Sequence, residues 1–150
     1  MNLLDTLRIA REARDPARLV EAIPYARWMG MAPEITTGEF LTRMRYRPEN
    51  IGNPILPALH GGTIGALLEM AAILHLLWES ESVALPKIIN ITVDYLRSGR
   101  PIDTLAKATV TRQGRRVVNV EVSAWQDDRS KPVAAAQVHF LVTPADSLPG

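Results

Sequence analysis

Hydrophobic positions in the first 24 residues recur at helical spacing. Leu3, Leu4, Leu7 and Ala10, then Leu19, Val20 and Ile23, stand in an otherwise charged segment that Pro16 interrupts. This pattern predicts one or two short amphipathic helices, a peripheral N-terminal extension over residues 1–24. From Glu39 the period changes to two. Phe40, Thr42, Met44 and Tyr46 share one face and Leu41, Arg43, Arg45 and Arg47 the other, as a half-exposed strand requires. The Pro- and Gly-rich stretch 48–57 reads as a loop. A long apolar helix is expected from His60 to about Ser80, with only Glu69 and His75 breaking the run from Ile64 to Trp78.

Strand patterns fill the remainder. Ile89, Ile91, Val93 and Tyr95 alternate with polar residues, and Ser98-Gly-Arg-Pro101 turns the chain. A second strand covers about 104–111, with Gly114 expected to supply a positive φ at the next turn. Val118, Val120, Val122 and Ala124 give a third inward face, and Ala134, Ala136, Val138, Phe140 and Val142 a fourth. Residues 144–150 read as a tail. The order of strand, apolar helix and antiparallel meander predicts a single α+β domain over 1–150, its sheet curled around the helix. A helix apolar on nearly every side must be enclosed almost completely.

Composition narrows the possible functions. The 150 residues carry 17 Lys+Arg against 16 Asp+Glu, too balanced for the cationic field of a nucleic-acid binder. Without cysteine there is no disulfide, thiol nucleophile or thiolate metal site, which fits a reducing compartment. The charged N-terminal segment lacks a secretory apolar core, and the apolar run is shorter than the ~20 residues of a membrane span. A cytoplasmic location without membrane association is expected. Three scattered His without an H-x-x-x-H pair predict no metal site.

Glu69 is the chemically anomalous residue, the one ionisable group between Ile64 and Leu74. Carboxylates are rarely buried without a partner, so this one is either paired at a seam or held as a base or nucleophile. His60-Gly61-Gly62 opens the same helix, where unpaired N–H groups can cradle negative charge. Eight residues separate Gly61 from Glu69, about 12 Å of helix at ~1.5 Å per residue. One carbonyl carbon cannot contact both. If both act on one substrate they come from two chains, which predicts a two-fold dimer with antiparallel helices; a homotetramer of two such dimers is left open.

The stretches Asn53-Pro-Ile-Leu-Pro-Ala-Leu-His-Gly-Gly-Thr-Ile-Gly-Ala-Leu-Leu-Glu69, Ile91-Thr-Val-Asp-Tyr-Leu-Arg-Ser-Gly-Arg-Pro101 and Arg112-Gln-Gly-Arg-Arg116 together resemble the hotdog-fold acyl-CoA thioesterases of the PaaI type. The resemblance spans roughly residues 25–142. It implies a long central helix wrapped by a curved antiparallel sheet of about five to six strands. It also implies hydrolysis of an acyl-CoA or acyl-carrier-protein thioester, with no cofactor beyond the CoA thioester itself as substrate. In that reading the Gly61 amide is the oxyanion donor and Glu69 of the neighbouring subunit the nucleophile or general base. His60 shapes the pocket, Asn53 orients water or substrate, and Gly62 lies against the substrate. Arg97, Arg100, Arg112, Arg115 and Arg116 become candidates for the CoA phosphates, which guanidinium forks suit. The sequence departs from the family in carrying Glu where Asp is commoner, Ile73 where a hydroxyl is frequent, and Asn53 seven rather than six positions before the His. A non-catalytic acyl-CoA-binding module and an enoyl-CoA hydratase or dehydratase are the alternative expectations.

Overall fold

The computed structural model of the chain describes residues 2–79 and 85–143; the expected tail from Pro144 and the expected helix end near Ser80 lie outside the described residues. The N-terminal extension is helical and slightly longer than its apolar pattern implies. In α1 (Leu3–Glu12) the Asn2 side chain accepts the Asp5 N–H at 2.9 Å, and Leu7 and Ala10 are buried. Asp15 caps a 3₁₀ turn over Pro16–Ala22, and Pro24 opens α2 (Pro24–Trp28). The proline thus separates two helical pieces, as expected.

Six strands form one antiparallel sheet in the order β1 (Met31–Thr36), β2 (Glu39–Met44), β6 (Thr104–Gln113), β7 (Val117–Trp125), β8 (Ala134–Leu141), β5 (Lys87–Tyr95). A short hairpin of β3 (Ile51–Asn53) and β4 (Ala58–Leu59) stands apart, inside the stretch expected to be irregular. Strand β1 has no alternating signature because Pro33 lies within it, which an edge strand tolerates. Thr37 and Gly38 both take positive φ (49° and 78°), the tight turn that matches the twist of the β1–β2 pair. Gly114 differs from expectation. Positive φ among the described glycines belongs to Gly30 and Gly38, whereas a Cβ at Gly114 would meet the Val117 carbonyl oxygen at 2.7 Å. Close approach of the chain, not handedness, selects glycine there.

Helix α3 (Gly61–Glu79) lies in the concavity of the sheet. Leu67, Leu68, Leu74 and Leu77 pack with Val118, Val120, Val122, Val138 and Phe140, all at most 2% exposed. Replacing one of the leucines by Ala would cost about 2–5 kcal/mol through transfer and cavity terms. One stripe of α3 escapes this enclosure. Gly62 is exposed, and Ala66, Glu69 and Ile73 are half-buried at spacings of four, three and four residues. Among the described residues the adjacent sheet edge, β5, pairs only with β8 and presents its other side unpaired.

Candidate active site

The start of α3 is held by hydrogen bonds on both flanks. His60 donates its backbone N–H to the Asn50 carbonyl at 2.8 Å, and Leu59 donates to Gly99 at 2.9 Å. Asn50 is itself buried, its side-chain oxygen accepting the Arg47 N–H at 3.1 Å. Gly52 backs the histidine so closely that a Cβ there would lie 2.7 Å from the His60 Cα. On the other flank Tyr95, the last residue of β5, donates its hydroxyl to the Gly61 carbonyl at 2.8 Å.

Two backbone donors open the helix, and only one is used. The Gly62 N–H donates to His60 Nδ1 at 2.8 Å, so the imidazole caps the helix as Ser or Asp commonly does. Accepting at Nδ1 puts the proton of the neutral ring on Nε2. The Gly61 N–H meets no acceptor among the described residues. It borders an open groove of about 390 Å³ whose walls include Leu59, Ile64, Tyr95, Leu96 and Arg97.

Glu69 stands two turns along on the open stripe, where no hydrogen bond or ion pair reaches it from the described residues. The half-buried carboxylate thus lacks, among the described residues, the salt bridge that one of the two readings expected. Asn53 sits before the site but spends its side-chain oxygen on the Ile55 and Leu56 N–H groups, at 3.0 and 3.2 Å. That bond shapes the β3–β4 turn and leaves the amide NH₂ for other partners.

The five arginines divide. Arg97 lines the Gly61 groove while donating to the Pro132 carbonyl at 2.9 Å. Arg100 pairs with Asp127, and its backbone N–H donates to Gln126. Arg112, Arg115 and Arg116 surround a different cavity of about 560 Å³ with Asn119 and His139. Asn119 and His139 alternate with buried core residues of β7 and β8, so that cavity lies on the sheet face turned away from α3. Within one chain it is five residues of register from the Ala134–Tyr95 pair, about 17 Å at ~3.4 Å per residue. In the N-terminal segment Tyr25 and Trp28 are exposed, whereas Met31 is buried in the core. Tyr95 and Gly52 were not distinguished by local sequence pattern. Tyr95 acts through Gly61, 34 residues away, and Gly52 through His60 on the far side of the β3–β4 turn.

The second ionisable residue of α3 has another environment. His75 faces Phe40, ring centroids 5.8 Å apart, and its Nδ1 is buried without a partner among the described residues. Burial pushes its pKa below the ordinary value, against a weaker raising effect of Glu79.

A long apolar helix wrapped by a six-stranded antiparallel sheet defines the hotdog fold class. Residues 52–141 match the acyl-CoA thioesterase N-terminal domain family. The chain therefore belongs to that family and is an acyl-CoA thioesterase. It is 28% identical over 134 residues to the medium/long-chain acyl-CoA thioesterase YigI of Escherichia coli, covering 80% of this chain and 86% of that protein. A crystal structure from Chromobacterium violaceum is 42% identical, with a TM-score of 0.76 and coverage of 94% and 98%. A Bacillus halodurans protein crystallised with CoA shares the fold, with a TM-score of 0.73, 22% identity and coverage of 95% and 89%.

Proposed function

We propose that the chain hydrolyses its acyl-CoA thioester at a site shared between two subunits. The Gly61 N–H of one receives the developing oxyanion, and Glu69 of the other activates water or attacks the carbonyl itself. The observation that carries this reading is the pairing of two unused groups, the Gly61 donor and the Glu69 carboxylate, at positions about 12 Å apart on one helix. A two-fold axis beside the open β5 edge would pair two such strands antiparallel. It would also set two α3 helices antiparallel along the stripe of Gly62, Ala66, Glu69 and Ile73. Small residues at that stripe allow close approach, and a nine-residue unpaired edge is otherwise a liability. Dimers of such dimers remain compatible with this arrangement.

Gly62 borders the substrate while its N–H stays with His60. With Nδ1 occupied, His60 presents Nε2–H as a donor and shapes the mouth of the groove. This weighs against a hydratase or dehydratase, which needs a free imidazole lone pair as base. Asn53 serves through its amide NH₂. Arg97 is the nearest cation for the CoA phosphates, with Arg100 beyond it. Arg112, Arg115 and Arg116 serve from the partner, since antiparallel β5 pairing brings that end of one chain toward the Tyr95 end of the other. Location in the cytoplasm follows the cysteine-free composition.

The test is a thiol-release screen over short, long and aromatic acyl-CoAs with Glu69→Gln as control. Turnover by the native chain and its loss in the variant support the reading. Binding without thiol release would instead favour a non-catalytic acyl-CoA module, and full turnover by Glu69→Gln would remove the carboxylate from the mechanism.

A further inference from the structure

We infer that Tyr95 is a positioning residue of the thioesterase reaction, its hydroxyl fixing the Gly61 peptide so that the neighbouring N–H is aimed into the groove before charge develops. The inference rests on Gly61 being the oxyanion donor. Three observations carry it. The Tyr95 hydroxyl donates to the Gly61 carbonyl at 2.8 Å, adding a donor from outside the helix to a first-turn carbonyl. The ring lies against the helix start: a Cβ at Gly61 would stand 3.3 Å from it, and one at Gly65 would stand 3.3 Å from its hydroxyl. Two glycines one turn apart thus make room for this contact.

The third observation is the rigidity of the platform. Tyr95 pairs with Ala134 of β8, and the next two residues, Leu96 and Arg97, both donate their N–H groups to the Val133 carbonyl at 2.9 and 3.1 Å. The tyrosine cannot follow a drifting helix end; the helix end is held to the tyrosine. The His60 carbonyl, which shares a peptide with the Gly61 N–H, accepts from the Thr63 N–H at 3.0 Å, so the peptides on both sides of Gly61 are held and the Gly61 N–H alone is left without an acceptor among the described residues. Oxyanion stabilisation depends on donors that need no reorganisation as the charge forms. The bond acts on geometry alone, because the carbonyl that accepts it is conjugated to the Gly62 nitrogen and not to the Gly61 nitrogen.

Tyr95→Phe keeps the ring and removes the bond. The expected result is a fall in kcat of about tenfold, the scale of one neutral hydrogen bond, with KM and thermal midpoint little changed. Affinity for a non-hydrolysable thioether analogue of the acyl-CoA should stay constant. Affinity for a trifluoromethyl ketone analogue, whose carbonyl carbon becomes tetrahedral, should fall by a factor similar to that in kcat. A merely structural role would weaken both analogues alike or neither. Native kcat in Tyr95→Phe, or equal weakening of the two analogues, overturns the inference. Gly61→Pro, which deletes the N–H itself, separates the two levels: if it retains native kcat, the oxyanion assignment falls and takes Tyr95 with it. If Gly61→Pro is impaired and Tyr95→Phe is not, the tyrosine inference alone fails.

Discussion

Two half-buried glutamates show how one side chain acquires opposite characters on opposite faces of a structure. On the outer face of the sheet, Glu39 is gripped by Arg129 at 2.7 Å and Lys107 at 3.0 Å, and these hydrogen bonds lower its pKa to about 2. Arg129 is in turn stacked over Trp125, 4.7 Å from the ring centre. Both oxygens of the Glu39 carboxylate are engaged by cations. On the inner side Glu69 stands on a stripe of Gly, Ala and Ile with no ion pair among the described residues. A carboxylate surrounded by cations is a structural clamp, whereas one left open among aliphatics is available as a base. The contrast also marks the α3 stripe, where Glu69 has no ion pair among the described residues, as the face on which the proposed two-fold contact would form.

Charge removal at the two sites is the strongest way to break this contrast. Glu69→Gln should lower kcat by about 10²–10⁴, the range of a general base, with folding intact. Glu39→Gln should leave kcat unchanged, lower stability at neutral pH, and so flatten the decline in stability that sets in as pH falls from about 4.5 toward 2. Comparable activity losses in both would erase the distinction.

The donor side responds to a pair of substitutions at one residue. Gly61 is the first residue of α3, where proline is tolerated because the N–H is already unbonded. Gly61→Pro should cost about 10²–10³ in kcat. Gly61→Ala adds a Cβ that presses the Tyr95 ring at 3.3 Å but keeps the N–H, so it should cost less. Equal losses would point to crowding rather than to the donor.

His75 sharpens the comparison from the closed side of the same helix. Its pKa is lowered in the fold, so below its ordinary value of 6.5 the unfolded chain takes up a proton that the native one resists. Stability therefore declines as pH falls through that region. His75→Leu should flatten the decline between pH 7 and 5 in thermal melts without changing kcat at neutral pH. An unchanged slope would show that His75 is not its source.

Much of the architecture was legible because it is encoded in local period. The α3 run, the alternation of β5 through β8 and the glycine start before Glu69 are all patterns within one element. What was not legible depends on meetings across the chain. Tyr95 finds Gly61 across 34 residues, and Gly52 is required by His60, which packs against it from just after β4. The arginine candidates looked equivalent in sequence, yet strand alternation sends Arg97 and the Arg112–Arg116 hairpin to separate cavities. Strand β1 went unread because its proline masks the period, which only its edge position excuses.

Glu69 of one subunit serving Gly61 of another is most directly tested by mixing two inactive chains. Co-expressed Glu69→Gln and Gly61→Pro subunits should form hybrids in which one site inherits both native groups and the other neither, restoring about a quarter of native activity at random pairing in two-fold dimers. Activity no greater than that of the two parent variants would place both groups in the same subunit's site and contradict the shared one.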